Sequence, residues 1–173
     1  MQSLEVPIVE ELQITQTQFN LFYTVFALPN IVTALFIGVL VDIVGVRLMF
    51  FLMCLFVGIF QAMVTIGIYF QSYETILIGR MLFGTASESL ITAQLSFVTF
   101  WFAGQELSFA MGVSLTAPEL GDALNSFLSP MIHAYFGSLM PAFYFSLVIC
   151  LLSIVSVIFA IILDRRADIV NLQ

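Results

Sequence analysis

The sequence predicts an all-α fold, a polytopic bundle of five membrane helices. Three observations carry that expectation. The chain is 61% hydrophobic and only 9% charged, where a soluble domain carries roughly 25% charge. Its apolar residues gather into five runs, each near the ~20 residues a helix needs to cross a bilayer. Its charges and helix breakers gather in the short joints between them. So few ionic side chains cannot cover a water-facing surface, which excludes a soluble enzyme. Four Arg, no Lys and a net charge of -7 exclude nucleic-acid binding, which runs on cationic side chains. The apolar content excludes disorder. Cys54 and Cys150 both lie inside apolar runs, so they are no water-exposed disulfide framework. A transmembrane barrel needs ten-residue alternating segments, and these runs are twice that length without alternation.

In chain order, residues 1–16 read as a non-cytosolic flank. The segment carries Glu5, Glu10 and Glu11 and lacks the cationic start and apolar stretch of a signal peptide. The five spans follow at about 18–41, 48–69, 75–100, 107–135 and 141–163, with 164–173 as a tail. The whole chain reads as a single membrane domain. Its loops are short enough to force antiparallel neighbours. Arg47 follows the first span, and Arg165 and Arg166 follow the fifth. Four crossings separate them, so they share a side, which the positive-inside rule assigns to the cytosol. The tail is then cytosolic and the N-terminus is not. Arg80, near the non-cytosolic start of the third span, is the exception. An odd span count with an unsignalled external N-terminus leaves two readings: the first span inserts unaided, or a helix precedes it outside this sequence. The second is favoured.

The polar residues inside the spans need explaining. Glu88 in the third span and Glu119 and Asp122 in the fourth would each cost on the order of 2.5–3.5 kcal/mol at a helix centre on translocon scales. In the third span Thr85, Glu88, Thr92, Ser96 and Thr99 share one wedge of a helix. In the fourth, Glu119, Asp122, Ser126, Ser129 and His133 repeat the pattern. Two polar faces predict a water-filled cavity shared by the two helices. The bland alternative, hydroxyls bonding back to their own helix carbonyls, stays open for Ser and Thr. Arg80 stands ~12 Å along the helix from Glu88, so it is a gate or packing residue rather than its partner. The acids are therefore protonated, as burial and like-charge neighbours favour, or paired with a cation outside this sequence, or open to a cationic solute. Pro29-Asn30 and Pro118 mark helix breaks, which are tolerated where neighbours or water re-satisfy the freed carbonyls. His133 reads as interfacial and Trp101 as part of the cytosolic aromatic belt. With one peripheral His and no His/Cys cluster, a membrane enzyme is excluded, and no metal or cofactor is called for.

One stretch is specific. Gly38-Val39-Leu40-Val41-Asp42-Ile43-Val44-Gly45-Val46-Arg47 resembles the G-x-L-x-D-x-x-G-x-R signature of the major facilitator superfamily. There it forms the cytosolic loop between the second and third helices. A carboxylate ending one helix and a cation starting the next can latch the helices in one transport state and release them in the other. Gly79-Arg80-Met81-Leu82-Phe83-Gly84-Thr85-Ala86-Ser87-Glu88-Ser89-Leu90-Ile91-Thr92-Ala93-Gln94 is similar to the G-R-x-x-F-G-x-x-x-E-S-L-x-x-A-Q stretch of the lysosomal dipeptide transporters of that superfamily. Gln18-Phe19, Tyr23, Pro29-Asn30 and Trp101-Phe102 extend the resemblance over nearly the whole chain. It implies helices two to six of a twelve-helix fold, a partial N-terminal bundle without its first helix.

The resemblance also implies roles. Glu88 falls on the acid that receives the dipeptide ammonium. Asn125 falls on a polar site residue. The basic residue that receives the dipeptide carboxylate falls on Glu119, two before Gly121, so the charge is reversed and a cationic solute gains weight. Pro118 and Gly121 are similar to a G-P-x-x-G antiporter motif and join Arg80 and Gly84 as gate or packing residues. The expectation is a secondary active or facilitative carrier of a dipeptide-like or cationic-amino-acid-like solute, working by alternating access with a proton-coupled variant open. Glu88, Thr92, Glu119, Asp122 and Asn125 would form its substrate and proton site, and Gly38, Asp42, Gly45 and Arg47 its latch. Its partners are the lipid bilayer, the small solute, a missing C-terminal bundle or second subunit and, by resemblance, an accessory membrane glycoprotein. The resemblance implies a lysosomal or other endomembrane location, with the plasma membrane open. The competing expectation is a non-transporting fragment that acts as an assembly partner.

Overall fold

A computed structural model describes residues 2–171, without the side chains of residues 2, 34, 35 and 168–171. After a 3-10 turn over Gln2–Leu4 come six helices: α1 Glu5–Leu12, α2 Gln16–Val44, α3 Val46–Tyr69, α4 Tyr73–Trp101, α5 Gly104–Phe136 and α6 Met140–Asn171. The described residues contain no strand. Each helix from α2 to α6 contains one of the five apolar runs.

Local chemistry sets the joints. Thr15 caps α2 with a capping box: its Oγ1 accepts from the Gln18 backbone N–H, and the Gln18 Oε1 accepts from the Thr15 N–H (2.8 Å). Such boxes satisfy amides that the first helical turn leaves without partners. Ser72 starts α4 in the same way, its Oγ accepting from the Thr75 N–H. One residue, Gly45, joins α2 to α3 at φ +92°. A side chain is strained there, so the sharp reversal depends on glycine.

The centre of the bundle is α3 against α4, with α2 packed on α4 and α6 on α3. Small residues let these axes approach. A Cβ on Gly67 would lie 2.7 Å from Ile76 Cγ1, one on Gly79 2.9 Å from Val64 Cγ2, and one on Gly58 3.0 Å from Ile154 Cδ1. Membrane helix pairs use small residues this way because lipid offers no hydrophobic push between them. α5 leans more lightly on α6, α4 and the N-terminal turn.

Residues 1–16, expected to be only a polar flank, contribute to the core. Leu4 and Ile8 are buried in one cluster with Phe19, Phe22, Val64, Ile68, Ile76, Leu139, Ala142 and Phe143. The short α1 therefore closes one end of the bundle. A smaller cluster of Ile37, Val41, Met49 and Ala93 packs nearer the other end.

Among the described residues two helices, α3 and the Met140–Ala167 part of α6, are long and apolar enough to cross a membrane. α2 makes a third if its two arms, Gln16–Thr33 and Phe36–Val44, form one span across a 64° bend. Thr33 Oγ1 donates to the Pro29 carbonyl (2.6 Å) just before that bend, a back-bond that often bends helices. α4 and α5 have the length, at 29 and 33 residues, but not the apolarity. The expected count of five crossings thus does not follow from length and apolarity alone. The shortfall falls on the two helices that carry Glu88, Glu119 and Asp122.

Candidate functional site

α4 has two faces. Ile76, Gly79, Gly84, Ala86, Ser89 and Ala93 are buried. Glu74, Met81, Thr85, Glu88, Thr92 and Thr99 are exposed or half-buried; at about 100° per residue they share a wedge roughly 60° wide on another side. Glu88 is therefore on the open face of the helix that forms the packing centre. On α5, Glu119, Asp122 and Ser126 line one side, while Leu120, Leu124 and Phe127 are exposed on another. The polar side turns inward toward its C-terminal end: Ser129 is buried and donates to Asn125 Oδ1 (2.7 Å).

The hydroxyls and the acids behave differently. Thr85 donates to the Met81 carbonyl (3.0 Å), Thr92 to Glu88 (3.3 Å), Ser96 to Thr92 (2.9 Å), Thr99 to Ser96 (2.7 Å) and Ser126 to Asp122 (2.9 Å). These groups satisfy themselves along their own helices, which is the bland alternative. The carboxylates of Glu88, Glu119 and Asp122 are exposed and take part in no hydrogen bond or ion pair among the described residues.

The expected cavity between α4 and α5 is not how the acids are arranged, because those helices pack lightly and the acids lie on open faces. One cavity, of about 370 Å³, lies among Val44, Gly45, Leu48, Phe97 and Phe100 beside Arg47 and Asp164. Another, of about 260 Å³, lies between α3 and α6 and is lined by Thr65, Tyr69, Met140 and Tyr144. Neither is lined by Glu88, Glu119 or Asp122.

The 38–47 segment holds a partner that the sequence reading missed. Arg47 forms an ion pair with Asp164 near the end of α6, while Asp42 is exposed. The cation that starts α3 thus ties α3 to α6 rather than to the end of α2. Asp164 is 6% exposed, so it is a buried carboxylate held by its guanidinium partner. A motif confined to residues 38–47 could not reveal it.

The seam between α2 and α4 was also missed. Arg80 lies against two rings, its Cζ 5.4 Å from the Phe26 centroid and 6.0 Å from that of Phe83. Its Nε is buried without a hydrogen-bond partner among the described residues, and so are Tyr23 Oη and Asn30 Oδ1. Gly84 sits at this seam: a Cβ there would collide with the Phe26 carbonyl. Gly121, grouped with Gly84 by the sequence reading, has nothing within 4 Å of an added Cβ, and neither does Gly38. Pro118 is exposed inside α5.

The sequence profile of the Major Facilitator Superfamily matches residues 2–172. The chain belongs to the major facilitator superfamily. Within the superfamily it is 30% identical to the lysosomal dipeptide transporter MFSD1 of Bos taurus and of Homo sapiens, over 96% of this chain and 38% of theirs. It is also 30% identical to the probable nitrate/nitrite antiporter NarK1 of Thermus thermophilus, over 80% of this chain and 31% of that protein. The chain thus spans less than half the length of these relatives. Superfamily membership makes it a multi-pass membrane protein of a transporter family, and the resemblance read from residues 38–47 and 79–94 agrees with the profile match.

Proposed function

We propose that the complete protein carries a small organic solute across a membrane by alternating access, and that Glu88 receives the solute's ammonium group. One observation supports this above the others: a carboxylate midway along the central helix α4 lies on its open face with no partner among the described residues. An unpaired charge at that depth is costly in lipid and marks a solute or proton path. In this reading α2 to α6 all cross the bilayer as part of the N-terminal bundle. α4 and α5 fall short in apolarity because one side of each faces water. The remaining bundle comes from the rest of the protein or a second subunit, and the two halves rock around a midplane site.

Glu119 and Asp122, one helical turn apart on α5, form a second acidic group in this reading, with Asn125 on the same helix and Thr92 on α4 assigned to the same solute path. They either exchange protons with the solute path or hold a second positive charge, which makes the solute dipeptide-like or cationic-amino-acid-like. Residues 38–47 act as the state-dependent latch, with Arg47 working through Asp164. The lysosomal location in the relatives' name is proposed for this protein as well, with the N-terminal flank in the lumen and the Arg165–Arg166 end in the cytosol.

The test is uptake by the complete protein in proteoliposomes, using a lysine-containing dipeptide and free lysine as solutes. Glu88→Gln should abolish uptake of both while insertion and thermal stability stay at the parent level. Uptake at the parent rate would remove Glu88 from the site.

A further inference from the structure

We propose that Arg80 and Tyr23, in the seam between α2 and α4, bind the carboxylate end of the solute. The inference rests on the transporter reading above and deepens it by adding a second anchor. The seam holds a set of polar atoms that the fold leaves unused. Arg80 Nε and Tyr23 Oη are buried and lack partners among the described residues. A buried donor without a partner has lost its water and gained nothing in exchange, and two on one seam call for a shared acceptor. The guanidinium rests on one side against the paired rings of Phe26 and Phe83, which leaves the rest of a planar fork suited to a carboxylate to meet an acceptor. Arg80 is not fully buried as a residue, although its Nε is, so the solute has to enter the seam to meet the fork.

The chemistry then closes at both ends. A solute held by its ammonium at Glu88 still has a carboxylate to place, and position 119 offers Glu rather than a cation. Arg80 stands eight residues before Glu88 on α4, ~12 Å along the axis. The two positions also stand about 80° apart around the helix, so a solute with an ammonium at one end and a carboxylate at the other reaches both through the two long side chains. α2 runs parallel to α4, and Phe26 meets Gly84. Asn30, four residues further along, therefore falls level with residue 88. Its buried, unpartnered Oδ1 adds an acceptor beside the ammonium end. The seam thus presents donors at the Arg80 level and acceptors at the Glu88 level, a polarity matched by a zwitterion.

The experiment compares one lysine-containing dipeptide with its C-terminal carboxamide, in proteoliposomes of the complete protein. The parent should take up the free acid at least tenfold faster than the carboxamide. Arg80→Gln should bring that ratio to about one, and Arg80→Lys should keep part of it. Tyr23→Phe, which removes only the hydroxyl and keeps the ring, should lower it at least threefold; it carries the test if the Arg80 variants do not insert. Equal uptake of acid and amide by the parent, or an unchanged ratio in Arg80→Gln and Tyr23→Phe, would overturn the proposal. Glu88→Gln in the same series separates the two readings. If it abolishes uptake while the seam variants leave the ratio alone, only the Arg80 assignment fails. If it leaves uptake intact, or the parent takes up neither peptide, the transporter site fails with it.

Discussion

A methyl group at position 84 would have to occupy the space of the Phe26 carbonyl, and a backbone carbonyl cannot swing aside as a side chain can. The same methyl at position 121 would meet nothing within 4 Å. Gly84→Ala should therefore destabilise the bundle by about 1–3 kcal/mol, the usual cost of overpacking. Gly121→Ala should stay within about 0.5 kcal/mol, as substitutions away from packed features do. Thermal unfolding in detergent, followed by circular dichroism, checks both. Equal midpoints would mean that α2 and α4 do not meet at Gly84. The two glycines are indistinguishable in the sequence, where each lies near a polar residue of a long helix. Only the neighbouring axis separates them.

At the scale of elements, the tie between α3 and α6 depends on a buried carboxylate. Removing Arg47 leaves the buried Asp164 side chain without that partner; with the Arg47 side 44% exposed, the loss falls below the ~3–5 kcal/mol of a fully buried pair. Arg47→Ala should lower the unfolding midpoint. Adding Asp164→Leu should restore part of the loss, because the uncompensated charge leaves with it. A double mutant no better than Arg47→Ala alone would show that the pair does not couple the helices. The other unexpected element is α1. Ile8 is fully buried, and Ile8→Ala should cost about 2–5 kcal/mol as a core truncation, measured by the same unfolding curve. A loss under 0.5 kcal/mol would mean that α1 only rests on the surface. The five long helices were legible because each apolar run is about as long as a bilayer is thick and ends at charges or breakers. The segment carrying α1 was not, because Leu4, Ile8 and Leu12, spaced four apart, are scattered among Glu5, Glu10 and Glu11 over a 3-10 turn and an eight-residue helix. Asp164 read as part of a charged exit from the membrane because Arg165 and Arg166 follow it. The Tyr23–Arg80 seam joins two helices with all of α3 between them in sequence, and no periodicity within either helix encodes that pairing.

For the whole molecule, the number of crossings is set by how α4 and α5 lie. They could cross the bilayer with one wet face each, or lie along its surface as a hairpin while α2, α3 and α6 cross. Both arrangements leave an odd number of crossings, so the positions of the termini do not separate them. The turns do. With five crossings, the α3–α4 turn at Gln71 and the α4–α5 turn at Gln105 fall on opposite sides. With three, they share a side. Both glutamines are exposed, so a cysteine at either would be reachable. The packing favours crossing: α4 lies against both α2 and α3 along the bundle, and a helix parallel to the surface could not follow two crossing neighbours over that length. In a background with Cys54 and Cys150 replaced by Ser, Gln71→Cys should react with a membrane-impermeant maleimide applied to the non-cytosolic face. Gln105→Cys should react only from the cytosolic face, together with a cysteine at Arg166. Labelling of Gln71→Cys and Gln105→Cys from the same side would leave three crossings. It would also place Glu88, Glu119 and Asp122 on a surface hairpin, where their charge costs little and marks no path through the membrane.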